Sequence, residues 1–236
     1  LINLDRSPDR LAEADAQLRA AGVDYERVSA IDGRALGWAG LRGRVSRFRF
    51  ALVHGRGPSP GMAASTLSHH EAFRRLLASG EGAALVFEDD VRLDPARFRR
   101  ALALVEARLD PATPALFLLC DHEGETPATG EGIVPTGPRT ACAEAYVVTA
   151  AAARRFLTLN EPVRAILDAW GHWAARGFAI WKVYPPAATQ ADAPSLSRPP
   201  APPPRRVRWG WYRALWRVRL ALTRALDALL YKVLGR

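Results

Sequence analysis

The feature of the sequence that most restricts the fold is an unbroken apolar run at residues 83–87, which ends directly at three acidic residues. A short run without polar positions is typical of a strand buried on both faces, as strands are in the layered sheets of α/β proteins. Ligands of open α/β sheets bind at the carboxyl ends of the strands. The sequence therefore predicts a covered central sheet, with Glu88, Asp89 and Asp90 at the edge where a ligand would lie.

The chain opens with the pattern of a β-α-β unit. Residues 1–4 are mostly apolar and predict a strand, and Ser7 followed by Pro8 is typical of a helix start. Apolar residues then recur at steps of three and four, and Gly22 ends this pattern before a second predicted strand at 25–29. A unit of this kind favours an α/β fold.

Strand and helix patterns alternate along the rest of the chain. Further strands are predicted at 115–119, 145–148 and 178–184, and helices at 67–77 and near 95–109, 150–158 and 162–176. Residues 33–60 are rich in Gly and Arg without a steady period, and they predict a long loop. With 236 residues, 49% of them hydrophobic, the chain is long enough for one core plus an appendage. We therefore expect a single α/β domain with a mostly parallel central sheet.

The C-terminal part of the chain predicts a separate basic amphipathic helix. Residues 199–204 are almost all proline, which makes a stiff spacer between a domain at 1–198 and a tail at 205–236. The tail has a net charge of +8, which leaves +1 on the rest of the chain. Its apolar residues share one helical face opposite its arginines, a pattern typical of a helix on an anionic membrane. A helix folded back on the domain, or an oligomer contact, is the alternative. Because the domain is nearly neutral, no nucleic acid is expected as a partner.

The sequence also indicates where the protein works. No apolar run reaches the roughly 18 to 20 residues that cross a bilayer, and the first residues lack the pattern of a signal peptide. Cys120 and Cys142 do not have the spacing of a zinc site or a disulfide framework, which fits a reducing cytosol. We expect a cytoplasmic protein held peripherally at the inner face of the cell membrane by its tail.

The three acids are candidate ligands of a divalent cation. Mn²⁺ and Mg²⁺ prefer oxygen ligands, and alternate residues of an extended segment project to one side. Glu88 and Asp90 are therefore the predicted metal ligands. The alternative is a solvated acidic turn that caps the next helix.

Two further clusters are candidates for binding a substrate. The first surrounds the predicted turn after the first strand, where backbone amides, a helix N-terminus and arginines bind phosphate or ribose; it consists of Asn3, Leu4, Asp5, Arg6 and Arg10. The second consists of Ser68, His69 and His70. Ordinary helix capping is the alternative for the first cluster, and a buried structural histidine is the alternative within the second.

Five segments, in order, resemble glycosyltransferase family 25, the bacterial lipooligosaccharide galactosyltransferases and their procollagen galactosyltransferase relatives. They are Ile2-Asn3-Leu4-Asp5-Arg6 with Asp9-Arg10, Gly61 through Leu67-Ser68-His69, Ala84 through Glu88-Asp89-Asp90-Val91, Ala145-Tyr146-Val147-Val148, and Asp168 through Gly177 to Pro185 and Gln190. Ala64 and Ser65 stand where the family usually shows Gly-Cys. The resemblance implies a GT-A-like fold and a UDP-sugar donor with Mn²⁺ or Mg²⁺ at the acids. It also implies inverting transfer of galactose or a related hexose to a lipooligosaccharide, a lipid-linked saccharide or another cell-surface saccharide.

Sugar transfer also needs a base, because the acceptor hydroxyl loses its proton as it attacks. Asp168 is the candidate base, and Asp121, at the end of another predicted strand, competes for that role. Trp170 and Trp173 are either a stacking surface for a sugar or, as aromatics three apart on a helix more often are, part of the core. Two other functions stay open: a nucleotidyltransferase that uses the same acids and turn, and a non-catalytic membrane-bound scaffold.

Overall fold

A computed structural model of the chain describes residues 1–121, 131–136 and 140–191. The predicted linker at 199–204 and the predicted tail at 205–236 lie outside the described residues, so both stay predictions. Within the described part, no helix combines the length and the apolar character that a bilayer-spanning segment needs.

Strands and helices alternate over most of the described chain, which confirms the α/β class. In chain order the elements are β1 (Ile2–Asn3), α1 (Pro8–Ala20), β2 (Val28–Ser29), α2 (Gly33–Gly40), α3 (Arg47–His54), α4 (Pro60–Ser79), β3 (Ala83–Phe87), β4 (Val91–Leu93), α5 (Pro95–Glu106), β5 (Ala115–Leu118), β6 (Gly132–Pro135), β7 (Ala145–Thr149), α6 (Ala150–Asn160), α7 (Trp170–Ala174), β8 (Ala179–Tyr184) and β9 (Ala188–Gln190).

Five of the strands form the central sheet, in the order β3-β7-β5-β8-β6. Strand β7 runs antiparallel to both of its neighbours, β3 and β5, and β6 runs antiparallel to β8. Within the described sheet only β5 and β8 pair in parallel, so the expectation of a mostly parallel sheet is wrong. The expectation rested on unbroken apolar character, which reports burial and carries no information on strand direction. Strand β3 lies at an edge, and its first three residues are only half-buried.

The predicted β-α-β unit is confirmed at the start of the chain. Strands β1 and β2 pair in parallel, with Ile2 opposite Val28, and α1 connects them. A parallel bridge between Ile2 and Glu88 places β1 beside the end of β3. The turn that follows Asn3 therefore lies next to the acids that follow Phe87.

Residues 33–60, predicted as a loop, contain the helices α2 and α3. These helices pack on α4 through a second, smaller core that includes Leu41, Phe50 and Val163. Gly37, with a φ of 55°, kinks α2 and interrupts the helical period of the segment. A kinked, glycine-rich helix does not show the regular spacing on which a sequence prediction relies.

Between residues 162 and 176 the structure has only the five-residue helix α7, instead of the predicted long helix. Asn160 holds residues 160–165, which precede α7, in a turn, because its side chain accepts hydrogen bonds from the amides of Arg164 and Ala165. It also donates a hydrogen bond to the carbonyl of Ala165. Side-chain bonds of this kind compete with helix formation, which explains the late start of α7.

The main hydrophobic core joins the central sheet to the helices. Trp170 and Trp173 are among its largest fully buried side chains. The ring of Phe156 lies 4.7 Å from that of Trp173, and the ring of Tyr146 lies 6.2 Å from that of Trp170. Both tryptophans therefore belong to the core, and neither offers an exposed face to a sugar.

The hydroxyl group of Thr149 ties the sheet to α6 and supports a stability prediction. It accepts hydrogen bonds from the amides of Ala115 and Ala152 and donates one to the carbonyl of Thr113. Thr149→Val keeps the shape but leaves buried amides unpaired, so we expect the free energy of unfolding to fall by about 3 kcal/mol. Thr158→Val, on the exposed side of α6, is the control and should cost less than about 0.5 kcal/mol. Urea denaturation followed by tryptophan fluorescence measures both, and equal losses would contradict this role of Thr149.

Candidate functional site

An open cleft lies where β1, β2 and β3 end, against the N-terminal half of α4. Its wall is formed by Ile2, Asn3, Leu4, Arg6 and Arg10, by Ala30 to Arg34, by Gly61, Ser65, Ser68 and His69, and by Glu88, Asp89, Asp90 and Gln190. The cleft therefore occupies the sheet edge at which α/β proteins bind ligands.

Arg10 holds two of the three acids. Its Nη2 atom lies 2.9 Å from Asp89 Oδ1 and 2.6 Å from Asp90 Oδ2. Asp89 also accepts a hydrogen bond of 2.8 Å from Asn3, and Asp90 accepts one of 3.0 Å from Gln190. Burial raises the pKa of Asp89, and Arg10 and the Asn3 amide oppose this rise. Arg10 thus offsets the repulsion between two adjacent carboxylates that are little exposed to solvent.

The third acid, Glu88, begins a chain of polar contacts that leads into the core. His69 Nε2 lies 2.9 Å from Glu88 Oε1, and His69 Nδ1 lies 2.8 Å from the hydroxyl of Tyr146. Burial raises the pKa of Glu88, and the hydrogen bond with His69 opposes that rise. Burial also raises the pKa of Tyr146 well above its ordinary value, so its hydroxyl stays protonated. His69 therefore orients Glu88, and Tyr146 orients His69.

The carboxylates at the end of β3 fit a divalent cation. Asp90 Oδ1 is buried and has no hydrogen-bond partner among the described residues, which leaves one oxygen for a ligand. Glu88 contacts His69 through Oε1 alone, whereas Asp89 has both oxygens in contacts with other side chains. Oxygen ligands of this kind suit Mn²⁺ or Mg²⁺. The alternative of an acidic turn that caps the next helix does not apply, because Asp94 caps α5.

The turn between β1 and α1 contributes most of the predicted phosphate- or ribose-binding cluster. Four of its five members line the cleft: Asn3, Leu4, Arg6 and Arg10. Arg6 Nε lies 2.6 Å from Asp32 Oδ2. Asp5 does not line the cleft; its carboxylate, 72% exposed, binds Arg27 and accepts a hydrogen bond of 2.9 Å from Ser29. Asp5 thus joins the turn to β2.

Ser68 and His69 line the cleft, whereas His70 on the same helix does not. Ser68 Oγ donates a hydrogen bond of 2.8 Å to the carbonyl of Ala64 and accepts one of 2.9 Å from the amide of Ile31. His70 is fully buried, and burial lowers its pKa to about 3, so the ring stays neutral at physiological pH. One histidine of the pair thus belongs to the cleft, and the other belongs to the core.

The close contact between α2 and α4 requires a glycine at position 33. A Cβ atom on Gly33 would stand 2.3 Å from the carbonyl oxygen of Pro60 and 2.8 Å from the Cβ of Ala64. Ala64, where the resembling family usually shows glycine, therefore fits because Gly33 has no side chain. Ser65, the second departure from the family pattern, lines the cleft.

The two candidate bases lie outside the cleft. Asp168 is in the turn before α7 and does not line the cleft wall. Asp121 follows β5 and forms an ion pair of 2.9 Å with Lys182, in which each side chain is less than a tenth exposed. The cleft thus brings together eight of the twelve candidate site residues, and Asp5, His70, Asp121 and Asp168 are the four that it leaves out.

Sequence reasoning missed some residues of the cleft. Asp32 lies three residues after the end of β2, so its place near a strand end was a signal that could have found it. Gln190 reaches Asp90 only because β9 pairs with β4, in a register that places Gln190 opposite Val91. No local pattern in the sequence shows that pairing.

A second group of metal-binding residue types lies outside the cleft. The side chains of Cys120, Cys142 and Glu144 are buried, and their ligand atoms lie within 4.8 Å of one another. Both cysteines are unbonded thiols, and Cys142 Sγ donates a hydrogen bond of 3.0 Å to the carbonyl of Cys120. Burial raises the pKa of Cys120, which favours the thiol over the thiolate that binds metals.

Comparisons with known proteins agree with the resemblance seen in the sequence. Residues 1–126, more than half of the chain, match the family described as glycosyltransferase family 25 (LPS biosynthesis protein). A glycosyltransferase 25 family member of Aedes aegypti is 32% identical over 108 residues, and one of Anopheles gambiae is 30% identical over 112 residues. These segments cover 44% and 46% of this chain, but only 18% and 19% of the insect proteins. The match thus spans less than a fifth of each relative's length.

The contacts of Arg10 predict a large loss of stability when its charge is removed. Arg10→Met leaves Asp89 and Asp90 adjacent and without their cation, so we expect the free energy of unfolding to fall by about 3 kcal/mol. Arg6→Met is the control, because its pair with Asp32 is 39% and 25% exposed and should contribute less than about 1 kcal/mol. Urea denaturation at neutral pH compares the two variants. Equal losses would mean that Arg10 does not anchor the acids.

Proposed function

Because the chain belongs to glycosyltransferase family 25, we propose that it transfers a hexose such as galactose from a UDP-sugar to a saccharide acceptor, with inversion and with the help of Mn²⁺ or Mg²⁺. The observation that carries the proposal is the buried Asp90 Oδ1 atom, which has no partner among the described residues. Asp90 is also one of the residues that line the cleft. A buried oxygen of this kind is costly unless a ligand binds it.

Membership of a glycosyltransferase family speaks against the nucleotidyltransferase that the sequence left open. We extend the proposal to a GT-A-like arrangement of the domain. Its support is a mixed sheet with helices in which the acidic motif follows a strand directly and faces the turn after β1.

The turn between β1 and α1 is the proposed site for the diphosphate of the donor. Helix α1 has thirteen residues and begins at Pro8, and its N-terminus presents backbone N–H groups and the positive end of the helix dipole. Arg6 extends from the same turn with 39% of its side chain exposed. Its guanidinium group has the geometry to bind phosphate oxygens in a bidentate way.

Glu88 and Asp90 are the proposed ligands of the cation. A bound divalent cation stabilises the negative charge that develops on the leaving UDP. The protein holds both carboxylates in place before the donor binds: His69 and Tyr146 orient Glu88, and Gln190 donates a hydrogen bond to Asp90. Side chains fixed in this way lose little freedom when a ligand arrives.

Asp168 is the proposed base for the acceptor hydroxyl, because it begins one of the five segments that resemble glycosyltransferase family 25. Asp168 lies directly before α7, and Trp170 of that helix packs against Tyr146. The hydroxyl of Tyr146 contacts His69, which in turn contacts Glu88. This series of contacts joins the segment of the proposed base to the proposed cation site.

The proposed acceptor is lipooligosaccharide or another cell-surface saccharide. The description of the family as an LPS biosynthesis protein supports this class, whereas the insect relatives are named only as family members. The tail at 205–236, with its charge of +8, supports a place at the cytoplasmic face of an anionic membrane. A lipid-linked acceptor would be concentrated there.

Asp90→Asn tests the cation site, because it removes a charge with almost no change in volume. We expect Mn²⁺-dependent release of UDP from the donor to fall by about 100-fold, with the fold kept as judged by circular dichroism. Asp94→Asn is the matched control: it makes the same change at the exposed cap of α5, where asparagine caps equally well. Its activity should equal that of the unchanged protein.

The donor for this assay is found by screening UDP-sugars for Mn²⁺-dependent release of UDP. If no UDP-sugar binds or releases UDP, the proposed function is wrong and a non-catalytic scaffold is favoured. If Asp90→Asn keeps the Mn²⁺ dependence of the unchanged protein, the cation lies elsewhere.

Asp168→Asn and Asp121→Asn separate the two candidate bases. We expect Asp168→Asn to lower transfer to the acceptor by about 100-fold while leaving the affinity for UDP unchanged, as for a base that acts only on the acceptor. Asp121→Asn should instead lower the free energy of unfolding by about 3 kcal/mol, because it leaves Lys182 buried without its partner. Equal losses of UDP affinity and of transfer in Asp168→Asn would make Asp168 a structural or donor-binding residue.

A further inference from the structure

Six exposed arginines lie along the segment that begins at the cleft rim and runs from α2 to just past α3, and the proposed reaction does not use them. They are Arg34, Arg42, Arg44, Arg47, Arg49 and Arg56, which we call the arginine face. No aspartate or glutamate occurs between residues 33 and 70, so the segment has six positive charges and no negative one. A positively charged surface attracts anions over about a Debye length, roughly 8 Å at physiological salt.

The charges of the arginine face are not neutralised within the part of the chain that the structure describes. None of the six side chains forms an ion pair there, whereas Arg92 on β4, for example, is paired with Glu13 at 2.6 Å. Arg47 instead stacks on Trp38, with 4.6 Å between the guanidinium carbon and the ring centroid. Like charges repel one another, and an anionic ligand would relieve that repulsion.

Exposed apolar side chains lie among these charges. Phe48 is 62% exposed and Leu36 is 42% exposed, and both of the exposed large apolar residues of the described chain are therefore on this face. The helices that carry them are anchored on α4 by the buried residues Leu41 and Phe50. The face thus combines guanidinium groups with a rigid aromatic ring, which offers a large apolar contact area.

The arginine face begins at the rim of the cleft. The side chain of Asp32 caps α2, and Gly33 and Arg34, the first residues of α2, line the cleft wall. Helix α2 begins at that rim, and the segment continues from it through α3 to Arg56. A single extended ligand is therefore able to contact the face and still reach into the cleft.

From this arrangement we infer that the arginine face binds the phosphate or carboxylate groups of an anionic acceptor saccharide. The role as an acceptor site rests on the proposed function; the binding of an anionic saccharide does not. Guanidinium groups bind both kinds of anion in a bidentate way. A saccharide is favoured over a membrane surface because the face continues into the cleft, where a sugar of the acceptor would react. A flat bilayer would contact the face but would not enter the cleft.

The full chain with Arg42→Ser and Arg49→Ser tests this inference, because neither residue lines the cleft. The matched control carries Arg99→Ser and Arg154→Ser, which remove two exposed arginines from α5 and α6. The probes are the phosphorylated core oligosaccharide of a lipooligosaccharide and the same oligosaccharide after hydrogen fluoride has removed its phosphates. Calorimetry measures their Kd, and a further titration with UDP and Mn²⁺ reports on the donor site.

We expect the Kd of the phosphorylated oligosaccharide to rise about tenfold, or about 1.4 kcal/mol, in the Arg42/Arg49 variant, because two exposed charge contacts with the probe are lost. The control should bind it as the unchanged protein does, and UDP should bind all three proteins equally. The dephosphorylated probe should bind more weakly and should distinguish the variants less, because hydrogen fluoride leaves only its carboxylates as charged groups.

Three results would overturn the inference. The first is an equal effect of the control substitutions, and the second is an unchanged protein that does not prefer the phosphorylated probe. The third is an Arg42/Arg49 variant that binds vesicles of phosphatidylcholine and phosphatidylglycerol more weakly but binds the oligosaccharide as the unchanged protein does. The last of these would make the face a membrane contact. If UDP does not bind, but the phosphorylated probe does and depends on Arg42 and Arg49, the proposed function fails while the anionic saccharide site stands.

Discussion

The pairing of Arg10 with Asp89 and Asp90 is the interaction on which the site depends. Consecutive carboxylates repel one another, and the repulsion grows as water is excluded from them. Arg10 lies on α1, so it reaches the acids only because the bridge from Ile2 to Glu88 brings the first β-α-β unit against β3. Both carboxylate oxygens of Asp89 are engaged by Arg10 and Asn3. Glu88 and Asp90 are then left to face the cleft with carboxylate oxygens available to a ligand.

Much of the fold was predictable because local patterns report local structure. The helix predicted near 95–109 is Pro95–Glu106, and the strand predicted at 145–148 is Ala145–Thr149. Strand direction was not predictable in this way, because β7 lies between two strands that precede it in the chain and runs against both. The helices α2 and α3 were missed because a kink at Gly37 hides their period. Their stability comes from packing on α4, which is a long-range effect.

The site was predictable to the extent that it is built from strand ends. The acids after β3 and most of the turn after β1 line the cleft because both strands end at the same edge. Residues whose direction depends on distant partners were not predictable. Asp5 turns toward Arg27, which lies directly before β2, and Asp121 turns toward Lys182 on β8. Gln190 enters the cleft through a strand pairing that the sequence does not show.

Diffraction from crystals of the protein grown with UDP and Mn²⁺, recorded at the manganese absorption edge, would test the central claim most directly. We predict one strong anomalous peak in contact with Asp90 Oδ1 and Glu88, with the diphosphate of UDP beside the N-terminus of α1. Oxygen ligands at a strand end are the environment that Mn²⁺ prefers. A cleft without a peak, or a peak at the buried cluster of Cys120, Cys142 and Glu144, would contradict the account.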